Sequence, residues 1–380
     1  MTIMNKTLHI FLPAIFCLVF VSSCKKPNDN YVQVMKEDFE VMHEGKQVGL
    51  FTLKNSNGMI VQITNYGGKI VSIIVPDKDG NFADVCLGYE SAAQYIDGIA
   101  SLGATMGRVT NRIANAQFVL NDTTYQLAKN NGEHTIHGGA KGFRFKVWDA
   151  RQIDDHTVEL SYFSADGEEG FPGNLNVSVQ FTVTDENELK LQYAATTDRT
   201  TVINFTNHAF FNLAGEGSGD ILHHELIVNA KQYTPVDATA IPTGEIASVT
   251  GTPLDFTEMT RIGDRIDEDF DQLKHVGGYD HNYVIDKSPG EMALAALLYE
   301  PNSGRVMEVK TTEPGVQVYT ANSLTDNDKG KEGKTYGSRS AVCLETQHFP
   351  DSPNHPNFPS TVLNPGEKYN STTIYRFSTK

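Results

Sequence analysis

Two stretches of the chain carry residue types suited to proton transfer. Asn204 to Gly215 reads NFTNHAFFNLAG, and extended back to Val202 it alternates: Val202, Asn204, Thr206 and His208 fall on one face, Ile203 and Phe205 on the other. One face can pack while the other offers an amide, a hydroxyl and an imidazole. Such a face serves either a polar ligand or a satisfied polar network. Ala341 to Pro350 reads AVCLETQHFP, where Val342 and Leu344 alternate with Cys343, Glu345 and Gln347. A carboxylate on an otherwise apolar strand marks a paired or functional group, with an edge-strand gatekeeper as the alternative.

Other polar clusters are candidates for partners. Gly107 to Asn115 reads GRVTNRIAN, and its Arg108 and Arg112, with two asparagines, suit forked binding of hydroxyls or simple solvation in a loop. In EHTIHGG, His134 and His137 have a spacing that shares a helical face and so invites a metal. The following Gly138-Gly139 argues against a helix there. In a strand the two imidazoles point oppositely, so one of them at most enters a common site, and no metal is expected. His223-His224 carries no spacing signal and fits surface or core roles. Asp280 in GGYDHN reads as a turn or cap residue, and Gln317 in PGVQVYT shares a face with Tyr319 as a polar core residue would.

Taken in order and with these gaps, GRVTNRIAN, HTIHGG, NFTNHAFFNLAG, GGYDHN, PGVQVYT and LETQHFPD resemble the aldose 1-epimerases, or galactose mutarotases. The likeness runs from about Val41 to the C-terminus. It implies a large β-sandwich, the galactose mutarotase-like supersandwich, with a polar cleft that binds a free, unphosphorylated aldose of glucose or galactose type without metal or organic cofactor. It also implies that Glu345 is the general base and His208 the general acid, with Asn111, Arg112, His137, Asp280 and Gln317 at sugar-binding positions. Two other functions remain open: a non-catalytic sugar-binding protein on the same fold, and a glycoside hydrolase using Asp280 and Glu345 as its carboxylate pair.

The elements that must position these residues are strands. From Val41 onward, short alternating or apolar runs recur between turn signals such as Asn57-Gly58, Gly67-Gly68 and Asp79-Gly80. They include Lys69 to Val75, Val85 to Tyr89, Leu175 to Val183, Arg305 to Thr311 and Ala341 to Thr346. Helical periodicity is confined to Ser91 to Tyr95 and Phe256 to Ile262. The pattern predicts an all-β chain, a large antiparallel sandwich or barrel with few short helices, folded as one domain over residues 36–380. Asp326 to Lys334, DNDKGKEGK, reads as a charged surface loop. With 39% hydrophobic residues the 380-residue chain can bury a sizeable core, and its net charge of -16 disfavours nucleic acid and anionic membrane surfaces as partners.

The N-terminus reads as an address. Lys6 precedes an apolar run, Leu8 to Val21, too short for a comfortable membrane span, and Val21-Ser22-Ser23-Cys24 resembles a bacterial lipobox. The expectation is a lipoprotein signal peptide over residues 1–23, a lipidated tether over 24–35 with the acyl chains on Cys24, and a monomer held at the bacterial cell envelope, in the periplasm or at the outer membrane. A plain signal peptide is the alternative. Cys86 and Cys343 then remain, too few for a disulfide framework, and are expected as small core residues.

Overall fold

Alternation becomes strand wherever turn residues bracket it. Leu175–Val183 buries Leu175, Val177, Val179, Phe181 and Val183 and leaves the side chains between them exposed or half-buried. The computed structural model describes residue 1 and residues 31–98, 100–325 and 329–380, so Cys24 and nearly all of the expected signal peptide lie outside the described residues. Leu175–Val183 belongs to a nine-stranded antiparallel sheet. Its order is Asp149–Gln152, Thr157–Ser164, Leu175–Val183, Glu188–Thr197, Tyr369–Thr379, Arg305–Thr311, Ala293–Tyr299, Glu225–Val228 and Thr260–Arg261. The chain's last strand, Tyr369–Thr379, takes the central place, paired on both sides.

Facing this sheet are a four-stranded sheet, from Leu50–Lys54 to Phe82–Asp84, and a five-stranded one. The strands that carry the site are β1 Ala104–Met106, β2 Thr206–His208, β3 Asp280–Val284, β4 Gly315–Tyr319 and β5 Cys343–Gln347. β3, β4 and β5 lie side by side in the five-stranded sheet, while β2 pairs with β1. One core joins the layers: Ile63 and Ile73 from the four-stranded sheet, Val316, Val318 and Leu344 from the five-stranded, and Val179, Leu191, Met307 and Tyr375 from the nine-stranded. Each such side chain contributes about 1.5–3 kcal/mol on burial. The all-β sandwich expected from the alternation is therefore the architecture observed.

Local departures have identifiable causes. Val202 to His208 is not one strand, because the backbone changes partners: Thr201–Val202 pairs with Val362–Leu363, the Asn204 N–H goes to the Arg108 carbonyl, and β2 then pairs with β1. Phe256 to Ile262 is not helical. Phe256 enters the core from an irregular segment and Ile262 from the start of a short 3-10 turn, Ile262–Asp264, and the second α-helix instead spans Asp271–Val276. That helix has Asp271 in its first turn, Lys274 and His275 in its last, and the left-handed Gly277 closing it, the arrangement that complements the helix dipole and satisfies its last carbonyls. The helix expected at Ser91 to Tyr95 forms as Ala92–Asp97, with Ser91 capping it, its side chain accepting from the Gln94 N–H. Val85 to Tyr89 is not a strand either, since the Asp84 carboxylate takes the Ile73 and Cys86 N–H groups that a ladder would use.

The charged run around Lys331 also departs from a plain surface loop. Lys331 is 4% exposed, and its ammonium donates to Asp84 Oδ2 at 2.6 Å and to the Cys86 carbonyl at 2.8 Å. Glu216 is buried beside it, accepting from Lys334 at 2.8 Å and from the Tyr336 hydroxyl. These contacts pin the segment that follows β4 to the four-stranded sheet. Removing one member of a buried pair strands the other, so Lys331→Met is expected to cost about 3–5 kcal/mol of stability. A urea denaturation midpoint checks this, and a loss below about 1 kcal/mol, the size typical of an exposed pair, would overturn it.

Candidate active site

Strand register gathers the polar residues. Along β3, β4 and β5, Asn282 faces Gln317 and Gln317 faces Glu345, while Asp280 faces Tyr319. Directly opposed residues lie on one side of a sheet, so Asp280, Gln317 and Glu345 share a face, and Val316, Val318 and Leu344 turn to the core. β2 is set alongside β5 by the antiparallel Phe211–Val342 bridge and by Asn204. Its side-chain amide donates to the His348 carbonyl at 3.0 Å, and its oxygen accepts from the His348 N–H at 2.9 Å. That pair of hydrogen bonds ties the segment before His208 to the residue just beyond β5. As a result His208 Nε2 lies 3.4 Å from Glu345 Oε1.

The pair stands in a cleft of about 600 Å³ whose lining includes Asn111, Arg112, His137, His208, Asp280 and Glu345. Six of the seven sugar-site positions expected from the sequence therefore converge. The seventh, Gln317, is 3% exposed and sits behind Asp280, donating to its Oδ1 at 2.6 Å. Arg112 reaches the other oxygen of Asp280 at 3.6 Å and donates to Asn131 at 3.2 Å. His137 is set by the glycine turn after it. A Cβ on Gly138, whose φ is +80, would lie 1.8 Å from the Gly107 carbonyl oxygen, so glycine is required there. His137 Nδ1 accepts the Asn111 N–H at 3.2 Å, which leaves Nε2 protonated, and its ring stands edge-on 5.3 Å from that of His208.

Other candidates fall elsewhere. His134 turns away, accepting the Asn115 N–H, and His224 is a core residue that accepts from Leu213. Arg108 is buried outside the cleft, bonded to Ser164 and to the Ala165 and Pro172 carbonyls. Cys86 and Cys343 are free and buried. Among the described residues no group of three or more His, Cys, Asp or Glu is placed to hold a metal ion. The cleft also takes Asn131, Arg144 and Asn322 from loops and turns and His275 from the helix Asp271–Val276, residues for which no spacing signal exists in the sequence.

Burial sets the charge state. It pushes the Glu345 carboxyl well above the usual carboxylate range; the negative Asp280 adds to this and Arg112 opposes it. The same burial lowers His208 to about 4, with Asp280 pulling the other way, and holds His137 well below the ordinary histidine value. Phe210 stacks on the His208 ring at 4.9 Å and completes its desolvation. Burial thus favours the uncharged carboxylic acid and the neutral imidazole over the carboxylate and the imidazolium in this close pair. Glu345 Oε2 and His208 Nδ1 are both buried without a hydrogen-bond partner among the described residues. Unpaired buried atoms of this kind are expensive unless something else is meant to engage them.

Fold and site together define a β-sandwich acid–base enzyme for a polyhydroxylated ligand. The model of the aldose 1-epimerase family matches residues 49–376, and the chain belongs to that family. It is 44% identical to the galactose mutarotase of Bos taurus over 85% of this chain and 92% of that one. It is 37% identical to the aldose 1-epimerase of Escherichia coli strain K12, covering 88% and 96% respectively. Among solved structures, the aldose epimerase homologue from C. elegans superposes with a TM-score of 0.79 at 30% identity, over 87% of this chain and 99% of that one. Galactose 1-epimerase from Lactobacillus acidophilus gives the same score and identity over 89% and 97%.

Asp280 raises both groups of the pair, by opposing the Glu345 carboxylate and favouring the His208 imidazolium. Asp280→Asn is therefore expected to lower both apparent pKa values. Titration followed by carboxyl and imidazole NMR shifts checks this, and an upward move of either group would contradict the assignment.

Proposed function

We infer that Glu345 and His208 are the proton-transfer pair with which this chain interconverts the α and β anomers of free aldoses, the activity of its family. The observation that carries this reading is the buried pair 3.4 Å apart, each member with an unpartnered atom, in a cleft rimmed by hydroxyl-binding groups.

Anomer exchange needs a proton taken from the C1 hydroxyl and one delivered to the ring oxygen. The Glu345 carboxylate accepts the first and the His208 imidazolium donates the second. The bond from C1 to the ring oxygen breaks with its electrons passing to that oxygen, and C1 becomes the aldehyde carbon. The pair holds one proton before and after; only its owner changes. Rotation about the bond from C1 to C2 exposes the opposite carbonyl face. Closure then returns each proton by the reverse path. The uncharged arrangement that burial favours in the empty protein is the one matched to the open-chain aldehyde. Arg112 favours the carboxylate, and Asp280 the imidazolium, that ring opening requires. Each positioned transfer is typically worth ~10²–10⁴-fold.

Asn111, Arg112, His137 and Asp280 are the groups assigned to the sugar hydroxyls, with Gln317 acting through the Asp280 carboxylate it holds. Polarimetry on fresh α-galactose and α-glucose tests the assignment. The wild type is expected to speed equilibration, and Glu345→Gln and His208→Gln are each expected to lower kcat by ~10²-fold or more. Variants as fast as the wild type would remove the pair from the mechanism. Sugar affinity without acceleration would favour a binding protein, and cleavage of a chromogenic glycoside a hydrolase.

Activity also has a defined acid limb. Below about pH 4 His208 and Glu345 both hold protons and no base remains, so kcat/KM is expected to fall as pH drops through that value. A pH–rate profile whose acid limb sits near the ordinary histidine value would contradict the neutral resting imidazole.

We further propose that the chain is a lipoprotein, cleaved before Cys24 and held at the cell envelope by acyl chains on that cysteine, with the domain acting as a monomer on sugars outside the cytoplasm. The support is the order Val21-Ser22-Ser23-Cys24 after an apolar run. Metabolic labelling with a fatty-acid analogue is expected to mark the wild type and not Cys24→Ala; equal labelling would refute the anchor.

A further inference from the structure

One cation in the cleft has no role in the chemistry above. Arg144 lines the same cavity as His208 and His137. It projects from a short turn, Phe143–Phe145, whose preceding residue Phe143 is buried among Trp148, Tyr162 and Phe205, with its N–H bonded to the Gly107 carbonyl. Gly67 packs against this turn so closely that a Cβ there would lie 2.3 Å from the Arg144 carbonyl oxygen. The backbone under Arg144 is thus fixed, and its guanidinium stacks on the Phe145 ring at 4.5 Å.

The guanidinium is short of partners. Among the described residues it donates to Ser101 Oγ, Nε is buried without an acceptor, and no carboxylate lies within ion-pair distance. The other cleft arginine, Arg112, already faces Asp280. Arg112 and Asp280 offset each other, which leaves Arg144 as the cleft arginine without a carboxylate partner among the described residues. This occurs on a chain of net charge -16, where a lone positive pocket is not a by-product of the overall balance.

Its position within the cleft matters. Arg144 donates to Ser101, which lies just before β1, and there the Gly103 N–H donates to the His208 carbonyl at 3.0 Å and Ala104 pairs with His208. Arg144 is therefore on the imidazole side. On the proposed mechanism His208 faces the ring oxygen, and the atom bonded to that oxygen opposite C1 is C5. The substituent on C5 is accordingly the part of the sugar nearest Arg144. A neutral aldose would leave the Arg144 charge working against the imidazolium that ring opening needs. An anionic group on C5 cancels it.

We propose that the cleft accepts aldoses bearing a carboxylate on C5, that is hexuronic acids, with Arg144 receiving the carboxylate. The planar guanidinium fork matches a planar carboxylate in charge and geometry, and a single such fork balances one negative charge rather than the two of a phosphate dianion. This inference rests on the assignment of His208 to the ring oxygen.

The test measures kcat/KM for galacturonic and glucuronic acids, galactose and galactose 6-phosphate with wild type, Arg144→Met and Arg144→Lys. Methionine keeps much of the packing on Phe145. The hexuronate-to-galactose ratio is expected to fall roughly 10- to 100-fold in Arg144→Met, the range for a lost charge-assisted pair, with Arg144→Lys between. Equilibrium binding of the methyl glycoside of the hexuronic acid, which cannot ring-open, is read in parallel and is expected to weaken at least tenfold. An unchanged ratio together with unchanged glycoside binding overturns the proposal while leaving the epimerase assignment intact. A loss seen with the 6-phosphate and not with the hexuronates overturns the carboxylate specificity. Glycoside binding that depends on Arg144, in a protein that accelerates no aldose, would support the carboxylate site and reject the catalytic pair.

Discussion

The site rests on keeping two titratable side chains out of water at a fixed separation. Full ionisation of His208 and Glu345 at that depth carries a desolvation penalty of several kcal/mol per ion. The protein avoids it by leaving a single proton on the pair. The neighbours serve this arrangement from different directions. Phe210 covers one face of the imidazole, Asp280 supplies a negative charge that acts on both groups, and Arg112 is drawn to Asp280 and so stays close to Glu345 without bonding it. A sugar entering such a space brings hydroxyls to atoms that have lost their water and gained nothing in return.

The floor and the rim of the cleft are built differently. Floor residues come from β3, β4 and β5, whose other faces are packed into the main core. Rim residues such as Asn131, Arg144, His275 and Asn322 come from turns, a short helix and the segment after β4. The rim is nevertheless anchored. Phe143 roots the turn that carries Arg144, and the buried contacts of Lys331, Lys334 and Tyr336 hold the far end of the segment that carries Asn322. Function is divided accordingly: proton transfer belongs to the sheet, and the fit to a particular sugar belongs to the loops.

Much of this could be read from the residues in order. Leu175–Val183 and Arg305–Thr311 were delimited by alternation and turn residues alone, because each has one face in the core and one toward solvent. Glu345 stood out as a charge on an apolar strand, and the family likeness brought Asn111, Arg112, His137, Asp280 and Gln317 to it. What escaped depends on distant contacts. Lys331 sits in a run of charges that reads as solvated, and its burial follows from Asp84, 247 residues away in the chain. Arg144 has no periodicity to betray it; its direction is set by where Phe143 is buried. Phe256 and Ile262 suit one helix by spacing, yet the core takes Phe256 from irregular chain and Ile262 from a separate 3-10 turn. Gln317 shares the site face by parity, and only the length of its side chain and the position of Asp280 place it one layer back.

The common face of Asp280, Gln317 and Glu345 has an evolutionary consequence. Because the three are held by one pairing register, inserting or deleting a single residue in β4 or β5 would turn the affected polar residues into the apolar layer and bring valines and leucines out in their place. No graded series of intermediates connects one floor to another. Length changes are consequently filtered out of these strands and admitted in the turns between them, so a lineage on this scaffold can diversify the sugars it meets while inheriting the proton chemistry as an indivisible unit.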